Sequence, residues 1–191
     1  QLKGCTTIEQ TAVPTACAWP DPIELDNVIV VANDQHKLRL IDATTKMCLR
    51  TALAPPMLNA PISAMHPFMS SQGFPYMAFS LVDGMCGLLR LPVTGNPHES
   101  TAVLAHPTSV SDSAVSHDGR HLFTCGGADG AVAVWRLDCA ALDVQAEASG
   151  AGDEPFIALL DGGRDGQLYD EITQYFYYAQ LKGQAEDDPT P

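Results

Sequence analysis

Three stretches of this chain repeat one order of parts, and a repeat at fixed spacing constrains a fold more than any single motif does. They are "NVIVVANDQHKLRLIDATTK" (residues 27–46), "YMAFSLVDGMCGLLRLPVTG" (76–95) and "HLFTCGGADGAVAVWRLD" (121–138). Each runs from an apolar strand through a turn around an Asp to a second, alternating strand, and then to a polar loop. Ile41 and Trp135, at the ends of the first and third units, are 94 residues apart, two intervals of 47. That is near the roughly 40–45 residues of a four-stranded propeller blade.

The strand chemistry supports the period. Residues 28–32 are an unbroken Val/Ile-rich run, as in a strand buried on both faces. Residues 131–135 are short, β-branched at alternate positions and preceded by an Asp-Gly turn. Residues 47–51, 62–66 and 110–116 are candidates for the remaining strands, and "SHDG" (116–119) reads as a tight turn. An inner strand for the first unit falls in "TACAWPDP", so the chain is expected to begin inside a blade and to hold about three. Three blades do not close a ring, for which roughly four to eight are typical, so further blades are expected before Gln1. The chain opens on Gln1 with no basic and apolar leader pattern, which reads as a piece of something longer without a signal peptide. The predicted class is all-β: blades over 1–142, a linker over 143–155, a glycine-rich turn and helix over 156–182, and an acidic tail over 183–191.

Charge narrows the partners. Ten Lys+Arg against 23 Asp+Glu give a net charge of −13, which repels a phosphate backbone or an anionic membrane surface. Nucleic acid is excluded as a natural partner, and no apolar run approaches the roughly 20 residues that span a bilayer, so the chain reads as soluble.

The segment "AHPTSVSDSAVSHDGRHLFTCGGADGAVAVWRLD" (105–138) resembles a blade of the WD-repeat family. The resemblance implies a structural hydrogen-bonded set of His106, Asp129 and Trp135, with Cys125 where the family has a hydroxyl. Ala105 stands for the family's Gly and Arg136 for the Asp after the Trp. A thiol is a weak donor, so the set is expected to be incomplete. The other two units lack the Trp.

The segment "PFIALLDGGRDGQLYDEITQYFYYAQL" (155–181) carries a narrower resemblance, through its Gly-Gly pair, its Gly-x-Leu-Tyr step and its Tyr-Phe-Tyr-Tyr run. It is similar to the segment C-terminal to the propeller in a family of ciliary WD-repeat proteins. That resemblance implies a non-enzymatic scaffold of the ciliary or flagellar axoneme, in the calmodulin- and spoke-associated complex at a radial spoke base, supporting regulation of dynein-driven motility. Its implied partners are the other subunits of that complex and radial spoke proteins, with calmodulin a candidate among them. The six cysteines, with no C-x-x-C pair, then read as reduced thiols of a cytosolic or ciliary compartment.

Other chemistry is weak. Consecutive Ser116, His117 and Asp118 cannot form a hydrolase triad, which is assembled from distant segments. The six histidines never combine with cysteine at metal-ligand spacings, and neither Gly-Gly pair opens a phosphate loop. No cofactor is predicted. A calcium loop counted from Asp161 gains Asp165, Gly166 and Leu168 at positions 5, 6 and 8, but has Gly163 at 3 and Ile172 at 12, where ligands are needed. The same residues suit a capped helix better. Asp165 or Gly166 caps it, Asp170 and Glu171 sit in its first turn, and Leu168, Ile172, Tyr175, Phe176 and Ala179 form one stripe. With Tyr169, Tyr177 and Tyr178 beside that stripe, the helix is expected to pack on the propeller, dock a partner, or do both. The alternatives are a propeller that senses calcium through an EF-hand-like C-terminus and a cytosolic WD-repeat adaptor unrelated to cilia.

Overall fold

Among the described residues, eleven strands fall into three antiparallel sheets that succeed one another along the chain. The computed structural model describes residues 5, 7–8, 12–20, 27–54 and 60–148. Gln1–Leu160 and Asp161–Pro191 form separate units, and every described residue lies in the first. The predicted turn and helix of 156–182, the second half of the predicted linker and the tail therefore lie outside the described residues.

The first sheet has the order β1 (Pro14–Ala18), β2 (Val28–Asn33), β3 (Lys37–Asp42), β4 (Cys48–Leu53). The second is β5 (Ile62–Met69), β6 (Pro75–Leu81), β7 (Met85–Arg90), β8 (Ser100–Leu104). The third has three strands, β9 (Val110–Val115), β10 (His121–Gly126) and β11 (Val132–Arg136). The inner strands begin at Pro14, Ile62 and Val110, two steps of 48 residues, so the repeat seen in the sequence is the repeat of the sheets. The first of them is a whole four-stranded sheet, since Pro14–Ala18 supplies its inner strand.

One turn device recurs between the second and third strands. Asp83 Oδ1 accepts from Met85 N at 3.3 Å and Asp129 Oδ1 from Ala131 N at 3.0 Å, with Gly84 and Gly130 at positive φ. In the first sheet Asn33 Oδ1 accepts from Gln35 N and Lys37 N, and His36 takes the left-handed conformation instead of Gly. An Asx side chain bonding its own backbone two residues on is what makes such turns tight.

The core is two interlayers. Val28, Val30, Leu38 and Leu40 of the first sheet meet Met65, Met77, Phe79, Leu81 and Leu89 of the second. Phe68, Tyr76, Ala78, Cys86 and Leu88 on the opposite face of the second sheet meet Leu122 of the third. Phe79 is 1% exposed, and truncating such a side chain to Ala costs about 3–5 kcal/mol. A polar thread crosses the second interlayer: Ser63 Oγ to Ser80 Oγ at 3.2 Å, Ser113 Oγ to Ser80 Oγ at 3.4 Å, and His66 Nε2 to Ser113 Oγ at 3.0 Å.

The chain leaves β11 into helix α1 (Cys139–Ala148), which corrects the expectation of blades up to residue 142 and a linker from residue 143. Asp138 Oδ1 accepts from Ala141 N at 3.2 Å as an N-cap, and the Ala-rich run after it is a strong helix former. Leu142 and Ala146 are buried and Cys139 packs beside them, a stripe at i, i+3 and i+7. The helix lies against a short 3₁₀ turn, Pro97–Glu99, in the second sheet's last connection. Among the described residues no helix is long and apolar enough to cross a membrane.

Candidate functional site

The third sheet carries a buried chain of hydrogen bonds between side chains that are far apart in sequence. Trp135 Nε1 donates to Thr124 Oγ1 at 3.0 Å, and Thr124 Oγ1 meets His106 Nε2 at 2.9 Å. On the other side of the ring, His106 Nδ1 meets Asp129 Oδ2 at 2.7 Å. The Asp129 carboxylate only accepts, so Nδ1 carries the proton toward it, and in the neutral ring Nε2 accepts from Thr124, which in turn accepts from Trp135. Thr124 is 0% and His106 2% exposed.

Each element places its member by strand geometry. β10 pairs with β11 so that Leu122 faces Trp135 and Thr124 faces Ala133, which puts Thr124 and Trp135 on one face of the sheet. Asp129 is fixed by the turn, where its Oδ1 also accepts from Ala131 N. Gly126 lets the ends meet, because a Cβ there would overlap Asp129 Oδ1 and lie 2.5 Å from His106 Nδ1. The backbone donor Ala131, then the His106 ring, hold the Asp129 carboxyl below its ordinary range.

The structure thus corrects one expected member and brings the others together. Cys125 lies on the opposite face, across from Val132, and does not take the hydroxyl position. Thr124 takes it, and a hydroxyl both donates and accepts, so the set is complete. The alternation of β10 carried the signal: counting back from Trp135 across the Asp-Gly turn selects 122 and 124. The aromatic residues Tyr169, Tyr175, Phe176, Tyr177 and Tyr178, with Leu168 and Ile172, lie outside the described residues.

A second set, absent from the sequence expectations, ties α1 back to the second sheet. Tyr76 OH donates to Asp143 Oδ2 at 2.6 Å, and Arg90 Nε stands 3.7 Å from Asp143 Oδ1. Burial first, then the Asp143 carboxylate, raises the Tyr76 hydroxyl pKa far above its ordinary value. Burial also pushes the Cys86 and Cys139 thiols up to about 11, so both are poor nucleophiles at neutral pH. All six cysteines are free. Among the described residues no group of three or more His, Cys, Asp or Glu could hold a metal ion. Both sets direct their polar atoms at one another, and what they supply chemically is cohesion between sheets and helix.

The His, Thr, Asp and Trp chain in the third of three successive antiparallel sheets fits the family resemblance of residues 105–138, and comparison with known proteins extends it. No family model matches the chain. Against "Cilia- and flagella-associated protein 251" of Pongo abelii it is 37% identical over 183 residues, 94% of this chain and 16% of that protein. The chain is similar to a segment of cilia- and flagella-associated protein 251. The protein of that name from Tetrahymena thermophila is 31% identical over 97% of this chain and 19% of its own length. The chain thus spans about one sixth of the length of these relatives. Among solved structures, the Neurospora crassa Pan2 WD40 domain aligns with 64% of this chain and 34% of its own, at 18% identity and a TM-score of 0.44.

Proposed function

We propose that this chain is part of a non-enzymatic scaffold of the ciliary or flagellar axoneme, a subunit of the calmodulin- and spoke-associated complex at a radial spoke base that supports regulation of dynein-driven motility. The observation that carries the reading is the match to relatives named for cilia and flagella along 94% of the chain. The geometry favours a scaffold. The side chains that sequence reading singles out in the third sheet, His106, Asp129 and Trp135, are engaged with one another and with Thr124, and the cysteines nearest the helix are held protonated. Sheets locked in this way present fixed loops and edges to neighbours. The partners are the other subunits of that complex, radial spoke proteins and calmodulin, and the aromatic segment 168–178 is the docking element. Affinity purification of the tagged full-length protein from ciliated cells tests this: subunits of the complex should co-purify in stoichiometric amounts, and recovery of the protein alone would overturn it.

A further inference from the structure

β1, β5 and β9 hold the same place at the start of successive sheets, so their last residues share one end of the sheets. Large apolar side chains stand exposed there. Met69 and Phe74 flank the β5–β6 hairpin at 44% and 54% exposure, and Trp19, the residue after β1, is 46% exposed. β1 packs on β5, and a step of 48 residues makes Trp19 the counterpart of Pro67, two residues before Met69. The β9–β10 turn adjoins the same hairpin, since a Cβ on Gly119 would overlap Met69 O and touch the Phe68 ring. Helix α1 crosses this end as well: Asp143 bonds Tyr76, two residues after Phe74, and the next residue, Val144, is 65% exposed. An apolar patch rimmed by polar residues marks a docking surface.

The polypeptide itself supplies a match for that patch. After α1 ends at Ala148, "SGAGDE" (149–154) leads to "PFIALL" (155–160), and an apolar run of this length is one that a folded chain buries. The unit that holds the sheets is Gln1–Leu160, so its boundary falls directly after this run. Eight extended steps from Ala148 to Phe156 reach at most roughly 26–29 Å, more than the rise of about 15 Å along the ten residues of α1, so the run can return past the whole helix to the hairpin. Charge selects the end. Asp153 and Glu154, just ahead of the run, suit Arg120, exposed on the β9–β10 turn. The opposite end of the sheets repels them, since its turns expose Asp34, Asp83 and Asp129, and its exposed Val13 and Val82 stand beside the first two of these acids.

We infer that residues 155–160 dock in cis on the apolar surface formed by Trp19, Met69, Phe74 and Val144. The docked run covers the β5–β6 hairpin beside α1, and its apolar side chains and those of the surface leave water together. A tether this short gives the run an effective concentration on the order of millimolar at the patch, which a second copy or a free partner does not match. The patch is then an internal anchor for the chain that follows α1, closed to other apolar partners while the run occupies it.

Two measurements on the full-length protein test this. Phe74→Asp, an exposed hairpin position, should speed hydrogen exchange of the amides of residues 156–160 by about tenfold, and Val82→Asp, at the opposite end of the sheets, should leave them unchanged. Equal exchange in Phe74→Asp and the unmodified protein, or an equal effect of Val82→Asp, would overturn the docking site. p-Benzoylphenylalanine incorporated at position 74, in a mixture of ordinary and heavy-isotope protein, reports the occupant by mass spectrometry whether or not the aspartate variant folds. It should cross-link residues 155–160 of the same molecule. Cross-links only to other segments, to the second isotopic copy or to another protein would overturn the occupant.

Discussion

Replacing Thr124 with Val should loosen the third sheet while leaving its shape intact. Valine keeps the volume and β-branching of Thr124, so no cavity opens, and only the hydroxyl is lost. His106 Nε2, on a side chain 2% exposed, then has no partner, at a cost of about 1–3 kcal/mol. Trp135 Nε1 loses one neutral acceptor, a net loss of about 0.5–1.5 kcal/mol. Together these come to about 1.5–4.5 kcal/mol, which at 1.36 kcal/mol per tenfold raises the opening of β10 and β11 by about 10- to 2,000-fold. Hydrogen exchange on the full-length protein measures this directly. Cys125→Ala, on the opposite face, should change exchange by no more than about twofold. Unaltered exchange in Thr124→Val, or a Cys125→Ala effect of equal size, would refute the assignment of Thr124 to the set.

Four further perturbations have definite expected outcomes. Gly126→Ala should disrupt the set from the other end, through overlap with Asp129, and give a third-sheet exchange pattern like that of Thr124→Val. Tyr76→Phe removes the donor to Asp143, a bond to a charged group worth about 1.5–3 kcal/mol, and should expose α1 to limited proteolysis while the sheets stay protected. Burial lowers the pKa of His66, with Asp112 opposing, so the unfolded chain takes a proton first. The stability this gives is complete above about pH 6.5 and declines as the pH falls through that value, and His66→Gln should flatten the decline in denaturant midpoints measured between pH 7.5 and 5.5. Tyr175→Ala with Phe176→Ala should weaken co-purification of the complex while sheet exchange is unchanged, and full co-purification would leave that aromatic segment with no docking role.

The strands were legible because they repeat: three Asx or Asp-Gly turns between apolar runs place the centre of each sheet without any tertiary information. Cys125 shows where such reading slips. Thr124 and Cys125 are neighbours, and a one-residue shift in a strand exchanges its two faces, so choosing the residue next to Gly126 chose the wrong face. Helix α1 went unread because an Ala-rich run with small residues and acids has the composition of a linker. Its buried stripe is only Leu142 and Ala146 with the half-buried Cys139, and the cap, Asp138, looked like the end of a strand. The Tyr76–Asp143 bond joins residues 67 apart in sequence, and no local pattern signals it. The three-stranded form of the third sheet was hidden for a similar reason, since only comparison of the three folded sheets shows which one is short.

The proposed place of these sheets is a fixed component of the axoneme. Fractionation of ciliated cells expressing the tagged full-length protein tests it most directly. The protein should stay with detergent-extracted axonemes and lie at a regular spacing along the doublets, and its recovery in the detergent-soluble cytosol would contradict that placement.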